Sequence, residues 1–410
     1  MFKLDLIQTL AMAGIIIFLG YGLRRVIKPL HRYNIPAPVI GGLLLSCIIL
    51  LTRQNEVDLF IFDTTLQNPL MIAFFTTIGF GASLSLLRSG GPQVVSFFVL
   101  ATIFALMQNL LGIALSYPLG VHPLFGVMTG SVTLTGGPAT GLAFAPLFEE
   151  AGVPAAASLA IAAALVGITS GGLLGGPIGT YLIHKYTSKS AKSGKETIRV
   201  GSGQDNFESK DQIIINADPT PGKKGYHQLL KSSVIILVAM WAGSWVSRFL
   251  MNLGITLPAY IGAMLVAAII RNTDDATRWI KLSRDTIDDI GSVALSLFIA
   301  MALMTLKLWK LADLALPLLV ILFFQIVLIT VSCLFIVFRL TGRDYDAAVI
   351  SSGFCGFMLG TTANAMANME VLVEKYGPAP RAYLVVPLVG AFFIDFTNAL
   401  LITFFLNFWR

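Results

Sequence analysis

Long apolar runs separated by short polar stretches set the pattern of this chain. A helix of about 17–25 apolar residues crosses the roughly 30 Å hydrocarbon core of a bilayer. Ten runs therefore predict membrane-spanning helices, with approximate bounds 6–23, 38–52, 69–87, 93–117, 154–184, 231–251, 258–270, 290–306, 314–338 and 383–405. The pattern predicts an all-α polytopic membrane protein, with five spans on each side of a central polar segment.

The central polar segment, residues 185–230, is rich in Ser, Gly, Lys and Asp and poor in aromatic residues. This composition is typical of a loosely ordered connector. A regulatory domain is the alternative interpretation. The segment divides the chain into a first half, 1–184, and a second half, 231–410.

The two halves show the same order of features. IPAPVIGGLLLS at 35–46 resembles LPAYIGAMLVA at 257–267, and each half has a long glutamine-bearing span followed by a glycine-rich segment. These segments, 124–148 and 346–373, are too polar for lipid-facing helices and too apolar for solvated loops. Irregular backbone at membrane depth is tolerated where protein buries it or where it lines a water-filled cavity. We therefore predict one re-entrant hairpin in each half.

An odd number of spans in each half means that the second half enters the membrane from the opposite side. The halves are therefore predicted to be inverted-topology repeats. The positive-inside rule agrees when the central segment is cytoplasmic. Of the 28 Lys and Arg residues, only six then lie outside, namely Lys3, Arg53, Arg248, Lys307, Lys310 and Arg410. Both termini are predicted to be external.

Composition limits the class of protein further. The chain is 56% hydrophobic and 12% charged, which excludes a soluble domain. The formal charge is +6, but membrane topology accounts for the placement of the basic residues in short loops. No nucleic-acid partner is therefore expected. The first apolar run lacks a cleavage pattern and is predicted to be a retained helix. Cys47, Cys333 and Cys355 have no disulfide or zinc-site spacing and are interpreted as ordinary buried thiols.

The hairpins carry the candidate binding residues. Glycine lets backbone approach a ligand closely, Pro138 suits the first turn of a half-helix, and hydroxyl groups donate to carboxylates or accept from ammonium groups. In inverted-repeat transporters, such broken helices hold substrate and Na⁺ near the midplane. The predicted substrate-binding residues are Ser131, Thr133, Thr135, Gly136, Gly137, Thr140, Cys355, Gly356, Gly360, Thr361, Thr362, Asn364 and Asp395.

Asp395 is the one acidic residue that the predicted spans bury deeply, and intramembrane ionisable groups are functional candidates. Asn398 follows three residues later on the same helical face. We interpret Asp395 as a Na⁺ ligand or as the partner of a substrate ammonium group; a structural hydrogen bond is the alternative. The predicted sodium-binding residues are Thr135, Thr362, Asp395 and Asn398.

Other small and polar residues have a simpler interpretation. Small residues at helical spacing let helices pack closely, which we expect of Gly171, Gly172, Gly175, Gly176 and Gly179. The same packing role is the alternative for the hairpin glycines. Gln108, Asn109 and Gln325 are expected to form inter-helix hydrogen bonds.

Several stretches together resemble the bacterial sodium/glutamate symporter family. They are NPLMIAFFTTIGFGASLSLLRSGG, LSLFIAMALMTLKLWKLADLALP, DYDAAV, GFCGF, ANM and LVVPLVGAFFIDFTNAL. The resemblance covers nearly the whole chain except the central segment. It implies sodium-coupled uptake of L-glutamate, an inner-membrane homodimer, an elevator-like movement, and Na⁺ as the coupling ion without another cofactor.

The chain departs from the family pattern within the hairpins. Pro138 and Ala139 replace part of a Gly-Gly-His-Gly-Thr-Gly pattern, and Ala363 and Asn364 stand where Thr-Pro or a similar pair is expected. These changes bear on the substrate more than on sodium coupling. Another di- or tricarboxylate, such as malate, 2-oxoglutarate or citrate, is therefore the alternative substrate.

Two other classes compete with a carrier. A membrane enzyme is disfavoured because the chain lacks H-E-x-x-H and G-x-S-x-G motifs, and its four histidines lie in loops or at span ends. An aspartyl protease needs a second carboxylate beside Asp395. A channel also uses re-entrant loops, but its filter usually surrounds an axis shared by several subunits. The sequence favours a secondary transporter.

Overall fold

The computed structural model describes residues 2–33, 35–53, 60–85, 91–187, 222–252 and 259–409. Its helices are α1 (Leu6–Val26), α2 (Lys28–Arg32), α3 (Ala37–Arg53), α4 (Gln67–Gly81), α5 (Gly91–Ser116), α6 (Pro123–Val127), α7 (Gly137–Glu150), α8 (Ala156–Leu182), α9 (Gly222–Asn252), α10 (Ala259–Thr277), α11 (Arg284–Met304), α12 (Ala315–Ser332), α13 (Tyr345–Met358), α14 (Thr362–Tyr376), α15 (Pro380–Leu388) and α16 (Ile394–Trp409).

Short irregular turns extend or connect these helices. π-helical turns follow α6 (Met128–Val132), α8 (Ile183–Thr187) and α12 (Cys333–Val337, then helical Phe338–Leu340), and another joins α15 to α16 (Val389–Phe393). A 3₁₀ turn, Leu308–Leu314, lies between α11 and α12. Two strands that the sequence did not predict, β1 (Phe2–Leu4) and β2 (Phe60–Phe62), pair in parallel.

The predicted polytopic all-α architecture is confirmed, because each of the ten predicted spans is helical over most of its length. Six described helices are long and apolar enough to cross a membrane by length and composition: Leu6–Val26, Gly91–Ser116, Ala156–Tyr186, Gly225–Leu250, Arg284–Met304 and Ala315–Leu340. Residues 188–221 of the predicted connector lie outside the described residues. Its end, 222–230, is already part of α9. This stretch contains helix formers such as Leu229 and Leu230 and no proline.

The helices form two bundles by their contacts. The first bundle contains α1, α3 and α4 with α9, α10 and α11, and the second contains α5–α8 with α12–α16. Within the first bundle, the packing of α1 on α3 in the first half corresponds to the packing of α9 on α10 in the second half. Likewise, α3 packs on α11, and the corresponding helix α10 packs on α4. Helices α4 and α11 also pack on each other. Each bundle therefore takes corresponding helices from both halves of the chain.

Glycines set the helix crossings of the first bundle. A Cβ on Gly41 would lie 2.0 Å from the Ile16 carbonyl oxygen, and one on Gly262 would lie 2.3 Å from the Gly243 oxygen. The α1–α3 and α9–α10 crossings therefore both bring backbone against backbone. Gly41 and Gly262 occupy matching places in the two similar sequence stretches 35–46 and 257–267. Gly41 and Gly262 therefore correspond to each other both in sequence and in how they pack.

Loop contacts indicate which helix ends share a side. The β1–β2 pair joins the start of α1 to the segment before α4. At the other end of α4, Ser83 donates a 2.5 Å hydrogen bond to Asp275 near the end of α10. There Asp274 accepts hydrogen bonds from the backbone N–H groups of Ile280, Lys281 and Leu282. Burial alone would raise the pKa of the Asp274 carboxyl. The three hydrogen bonds stabilise its charged form more strongly, so the pKa lies below its usual value.

Candidate functional site

The first predicted hairpin contains a helix break between α6 and α7. Gly130 leaves the helical conformation at φ −99° and ψ −129°. Gly137 adopts a φ of +68°, in the left-handed region that favours glycine, and Pro138 occupies the first turn of α7. The Gly136 N–H donates to the Ser131 carbonyl at 2.9 Å and closes the turn. We call residues 130–137 the first break.

The second predicted hairpin is broken between α13 and α14. The α13 helix ends at Met358, and the Thr361 hydroxyl caps α14 by accepting from the Asn364 N–H at 3.4 Å. At 1.5 Å per residue, these arms of 14 and 15 residues are only about 21–23 Å long. Neither arm alone reaches across a hydrocarbon core of roughly 30 Å. We call residues 358–361, from the last residue of α13 to the residue that caps α14, the second break.

The two breaks meet inside the second bundle. A Cβ on Gly137 would lie 3.5 Å from the Thr361 methyl carbon and 3.7 Å from the Gly360 carbonyl oxygen. Gln108 of α5 contacts both breaks, since its side chain accepts from Thr135 at 2.7 Å and donates to the Met358 carbonyl at 2.9 Å. Segments more than 200 residues apart in sequence thus form one site.

Helix α8 provides one wall of the site through its backbone. Asn364 donates to the Ile168 carbonyl at 2.8 Å, and Asn368, one turn further along α14, donates to the Gly171 carbonyl at 3.0 Å. A Cβ on Gly167 would lie 2.3 Å from the Leu359 carbonyl oxygen. Glycine therefore permits the second break to lie directly against α8.

Helix α16 contributes the acidic residue. The Asn398 amide donates to the Ser131 carbonyl at 3.0 Å, and the partly buried Asp395 lies three residues earlier on the same face. Within the described residues, the buried Asn398 Oδ1 and Ser131 Oγ make no hydrogen bond. The first break and α16 are thus in direct contact, and two buried oxygen atoms at that contact have no hydrogen-bond partner among the described residues.

Unpaired polar atoms also remain beside both breaks. The Asn109 side chain accepts from the Ser131 N–H at 2.9 Å, but its Nδ2 group is buried without a partner among the described residues. The same holds for Asn364 Oδ1. Buried polar groups normally have partners. These atoms are therefore available for further hydrogen bonds.

The structure brings most predicted binding residues to the breaks. Thr362 donates to the Gly390 carbonyl at 3.1 Å, in the turn that leads to Asp395. Gly356 faces Asn364 and Asn368, while Gly360 and Thr361 face Gly137. Ser131, Thr133, Thr135 and Thr140 are buried in the first broken segment.

Two of the predicted residues are directed elsewhere. The Thr133 hydroxyl bonds to the Met128 carbonyl at 2.8 Å within its own broken helix. The Cys355 thiol contacts the thiol of Cys333, in the π-helical turn that follows α12. The prediction of three buried cysteines is wrong for Cys47, which is exposed on the outer face of α3, although Cys333 and Cys355 are buried.

Two cavities lie at opposite ends of α8. One, of about 440 Å³, reaches Asn364 and Asn368 and is also lined by Tyr33, Gly172, Leu173, Gly176, Pro177, Thr180, Ala367, Val371, Leu372 and Lys375. The other, of about 510 Å³, is lined by Thr64, Gln67, Glu149, Val153, Pro154, Ala155, Ala157, Ser158, Thr305, Leu306 and Lys307. Ser158 and Gly176 are separated by about 27 Å along the helix. The first of these cavities leads to the second break.

Several residues of the site were not predicted to bind ligand. Gln108, Asn109 and Gln325 form the inter-helix hydrogen bonds that the sequence predicted, and Gln325 donates to the Gln108 carbonyl at 2.6 Å. That Gln108 and Asn109 bond to the breaks was not foreseen, whereas the described contact of Gln325 is with the backbone of α5. Asn368 was identifiable from its four-residue spacing after Asn364, whereas Lys375 gave no signal because it lies beyond the predicted hairpin.

Comparison with known proteins identifies the family to which this chain belongs. Residues 2–378 match the sodium/glutamate symporter family. The chain is 38% identical to the sodium/glutamate symporter of Escherichia coli K12 over 412 residues, covering 99% of this chain and 98% of the relative. It is also 38% identical to that of Haemophilus influenzae over 397 residues, with 96% and 95% coverage. The chain, a multi-pass bacterial membrane protein, therefore belongs to the sodium/glutamate symporter family.

Proposed function

We propose that this protein couples the entry of L-glutamate to the entry of Na⁺ across the bacterial inner membrane. The observation that carries the proposal is the meeting of the two breaks, where Gly137 faces Thr361 beside unpaired buried polar atoms. Uptake into proteoliposomes tests it. Uptake should saturate with glutamate and require an inward Na⁺ gradient, whereas a channel would pass current without saturation and an enzyme would release a product.

The substrate site in this proposal lies at the breaks. Backbone N–H groups at half-helix ends and hydroxyls such as Thr135, Thr140, Thr361 and Thr362 bind the carboxylates. Asn364 borders both the second break and the cavity of about 440 Å³, a volume within the usual range for small-ligand sites. Lys375 supplies a positive charge to the cavity lining, which favours a dicarboxylate.

The Na⁺ site in this proposal lies between the first break and α16. Asp395, Asn398 Oδ1 and Ser131 Oγ supply oxygen atoms, and Asn398 already bonds to the Ser131 carbonyl. Thr135 and Thr362 are the other proposed ligands. Both donate their hydroxyl protons elsewhere, which leaves their oxygen lone pairs for a cation.

We propose that transport follows an elevator-like movement of the second bundle along the first. Two observations support this. Both breaks lie within the second bundle, and the cavity that reaches Asn364 also touches Tyr33, next to the first bundle. The cavity at the opposite end of α8 has no residue of either break among its described lining. In this proposal, the structure is the state in which substrate exchanges from the side of the cavity that reaches Asn364. A homodimer of first bundles completes the proposal, on the basis of the family.

The proposed topology is a pair of inverted five-span repeats, each with a re-entrant hairpin. A reporter fused after Lys195 is expected to be cytoplasmic, and one fused after Arg410 external, because an odd number of spans separates them. The matching helix pairs of the first bundle support this arrangement. Alkaline phosphatase and green fluorescent protein fusions measure it. If both fusions report the same side, the arrangement is wrong.

L-Glutamate is expected to be the strongest competitor for transport, ahead of 2-oxoglutarate, malate and citrate. An amino dicarboxylate uses both the carboxylate donors at the breaks and an acceptor for its ammonium group, such as Asp395 or a free carbonyl. Competition against labelled glutamate in reconstituted protein measures the order. If malate or citrate competes tenfold better, the departures at Pro138, Ala139, Ala363 and Asn364 have changed the substrate, while the carrier mechanism remains.

A further inference from the structure

Gln108 is the residue whose side chain touches both breaks. It is completely buried in the middle of α5. Its Oε1 accepts from the Thr135 hydroxyl at 2.7 Å, and its Nε2 donates to the Met358 carbonyl at 2.9 Å. An amide has one acceptor end and one donor end. In Gln108, each end is committed to a different break.

The bonded atoms are ones that a broken helix leaves without regular partners. The carbonyls of the last turn of a helix have no intrahelical donor, and Met358 is the last residue of α13. Thr135 lies in the turn before α7. A movement of either break therefore has to break or stretch a buried hydrogen bond to the same amide.

The adjacent residue extends this connection toward the proposed Na⁺ site. Asn109 accepts from the Ser131 N–H at 2.9 Å, and the Ser131 carbonyl accepts from Asn398 at 3.0 Å. At the other end, Met358 lies three residues before Thr361, which caps α14 at Asn364. Neighbouring residues of α5 thus hold the cation side of the first break and the substrate side of the second.

We propose that Gln108 is a positioning residue that couples Na⁺ binding at the first break to substrate binding at the second. The inference rests on the proposed function. When Na⁺ orders the first break, the Thr135–Gln108–Met358 connection holds the second break in its binding conformation. Linkage requires the reverse effect as well, so glutamate raises the affinity for Na⁺ by the same factor.

The test measures glutamate affinity of the purified protein in saturating Na⁺ and in choline, and takes the ratio of the two dissociation constants. Gln108→Met keeps the length and apolar bulk of the side chain but removes both hydrogen bonds. It is expected to reduce the ratio at least fivefold, since typical couplings between sites are 5–150-fold. Gln108→Asn keeps the amide but is too short to reach both breaks, so the same reduction of the ratio is expected. This variant provides the test if Gln108→Met does not fold.

Gln325→Met is the matched control. Gln325 is also completely buried and donates an amide hydrogen bond to a backbone carbonyl, that of Gln108, at 2.6 Å, but among the described residues its side chain bonds to neither break. This variant should keep the ratio within twofold of the unmodified protein. Equal weakening of glutamate binding in Na⁺ and in choline by the Gln108 variants would overturn the inference, as would an equal loss of coupling in Gln325→Met. If the unmodified protein shows no Na⁺ effect on glutamate affinity, the proposed function itself fails.

Discussion

Replacement of Asp395 by asparagine is expected to raise the Na⁺ concentration for half-maximal transport at least tenfold. The substitution removes the negative charge from the proposed Na⁺ site, while the size and shape of the side chain stay nearly the same. Tenfold corresponds to about 1.4 kcal/mol, a modest value for a carboxylate ligand in a poorly hydrated site. Uptake into proteoliposomes at fixed glutamate and increasing Na⁺ measures the effect.

Thr403→Val is the control for this substitution. Thr403 is buried on the same helix, α16, two turns beyond Asp395, and its hydroxyl donates to the Ala399 carbonyl of that helix at 2.8 Å. The valine variant should keep its Na⁺ dependence. Normal transport by Asp395→Asn with near-normal Na⁺ and glutamate constants would mean that Asp395 makes a structural hydrogen bond only.

Gly175→Ala is expected to reduce the transport rate at least tenfold and to lower the melting temperature. A Cβ on Gly175 would lie 2.0 Å from the amide nitrogen and 2.4 Å from the amide carbon of Asn368. The Asn368 amide also packs closely against the backbone of α13 and has little room there, since a Cβ built on Gly356 would lie 2.5 Å from the same nitrogen. The substitution therefore breaks the Asn368–Gly171 hydrogen bond or separates α8 from α14, at a cost of about 1–3 kcal/mol.

The neighbouring glycine provides the matched control. Gly176→Ala adds the same methyl group to the same helix, but nothing lies within 4 Å of its Cβ position. Its transport rate and melting temperature should stay near normal. Asn368→Ala, combined with Gly175→Ala, should recover part of the melting temperature because the clash disappears. If the two alanine variants transport equally, close packing between α8 and α14 is not required.

The sequence predicted the glycine stripe of α8 better than its individual members. Gly175 and Gly179 would bring a Cβ within 2.2 Å of side chains on α14, in keeping with close packing, whereas Gly172 would have only Tyr33 as a neighbour at 3.6 Å. Spacing identifies a stripe of small residues along a helix. It does not identify which of them faces the partner helix, because that depends on how the helix is rotated.

The polar residues show the same division. Glycine, proline and threonine between apolar runs predicted both breaks, because such residues do not belong in lipid-facing helices. Gln108 and Asn109 were predicted only to bond between helices. Their partners, Thr135, Met358 and Ser131, lie in a different segment or in the other half of the chain, and sequence spacing carries no information about such pairs.

The sequence by itself determined the helical membrane class, the positions of the spans, the two broken segments and the family. These follow from the cost of polar groups in hydrocarbon, which acts on each residue according to its own chemistry and its near neighbours. Only the tertiary structure decided that Gly137 meets Thr361, that Asn398 holds Ser131, and that one amide joins both breaks. Those contacts depend on the depth and rotation of the packed helices. Backbone contacts at glycines such as Gly41, Gly167 and Gly262 fix that depth and rotation, and they involve helices that are distant in sequence.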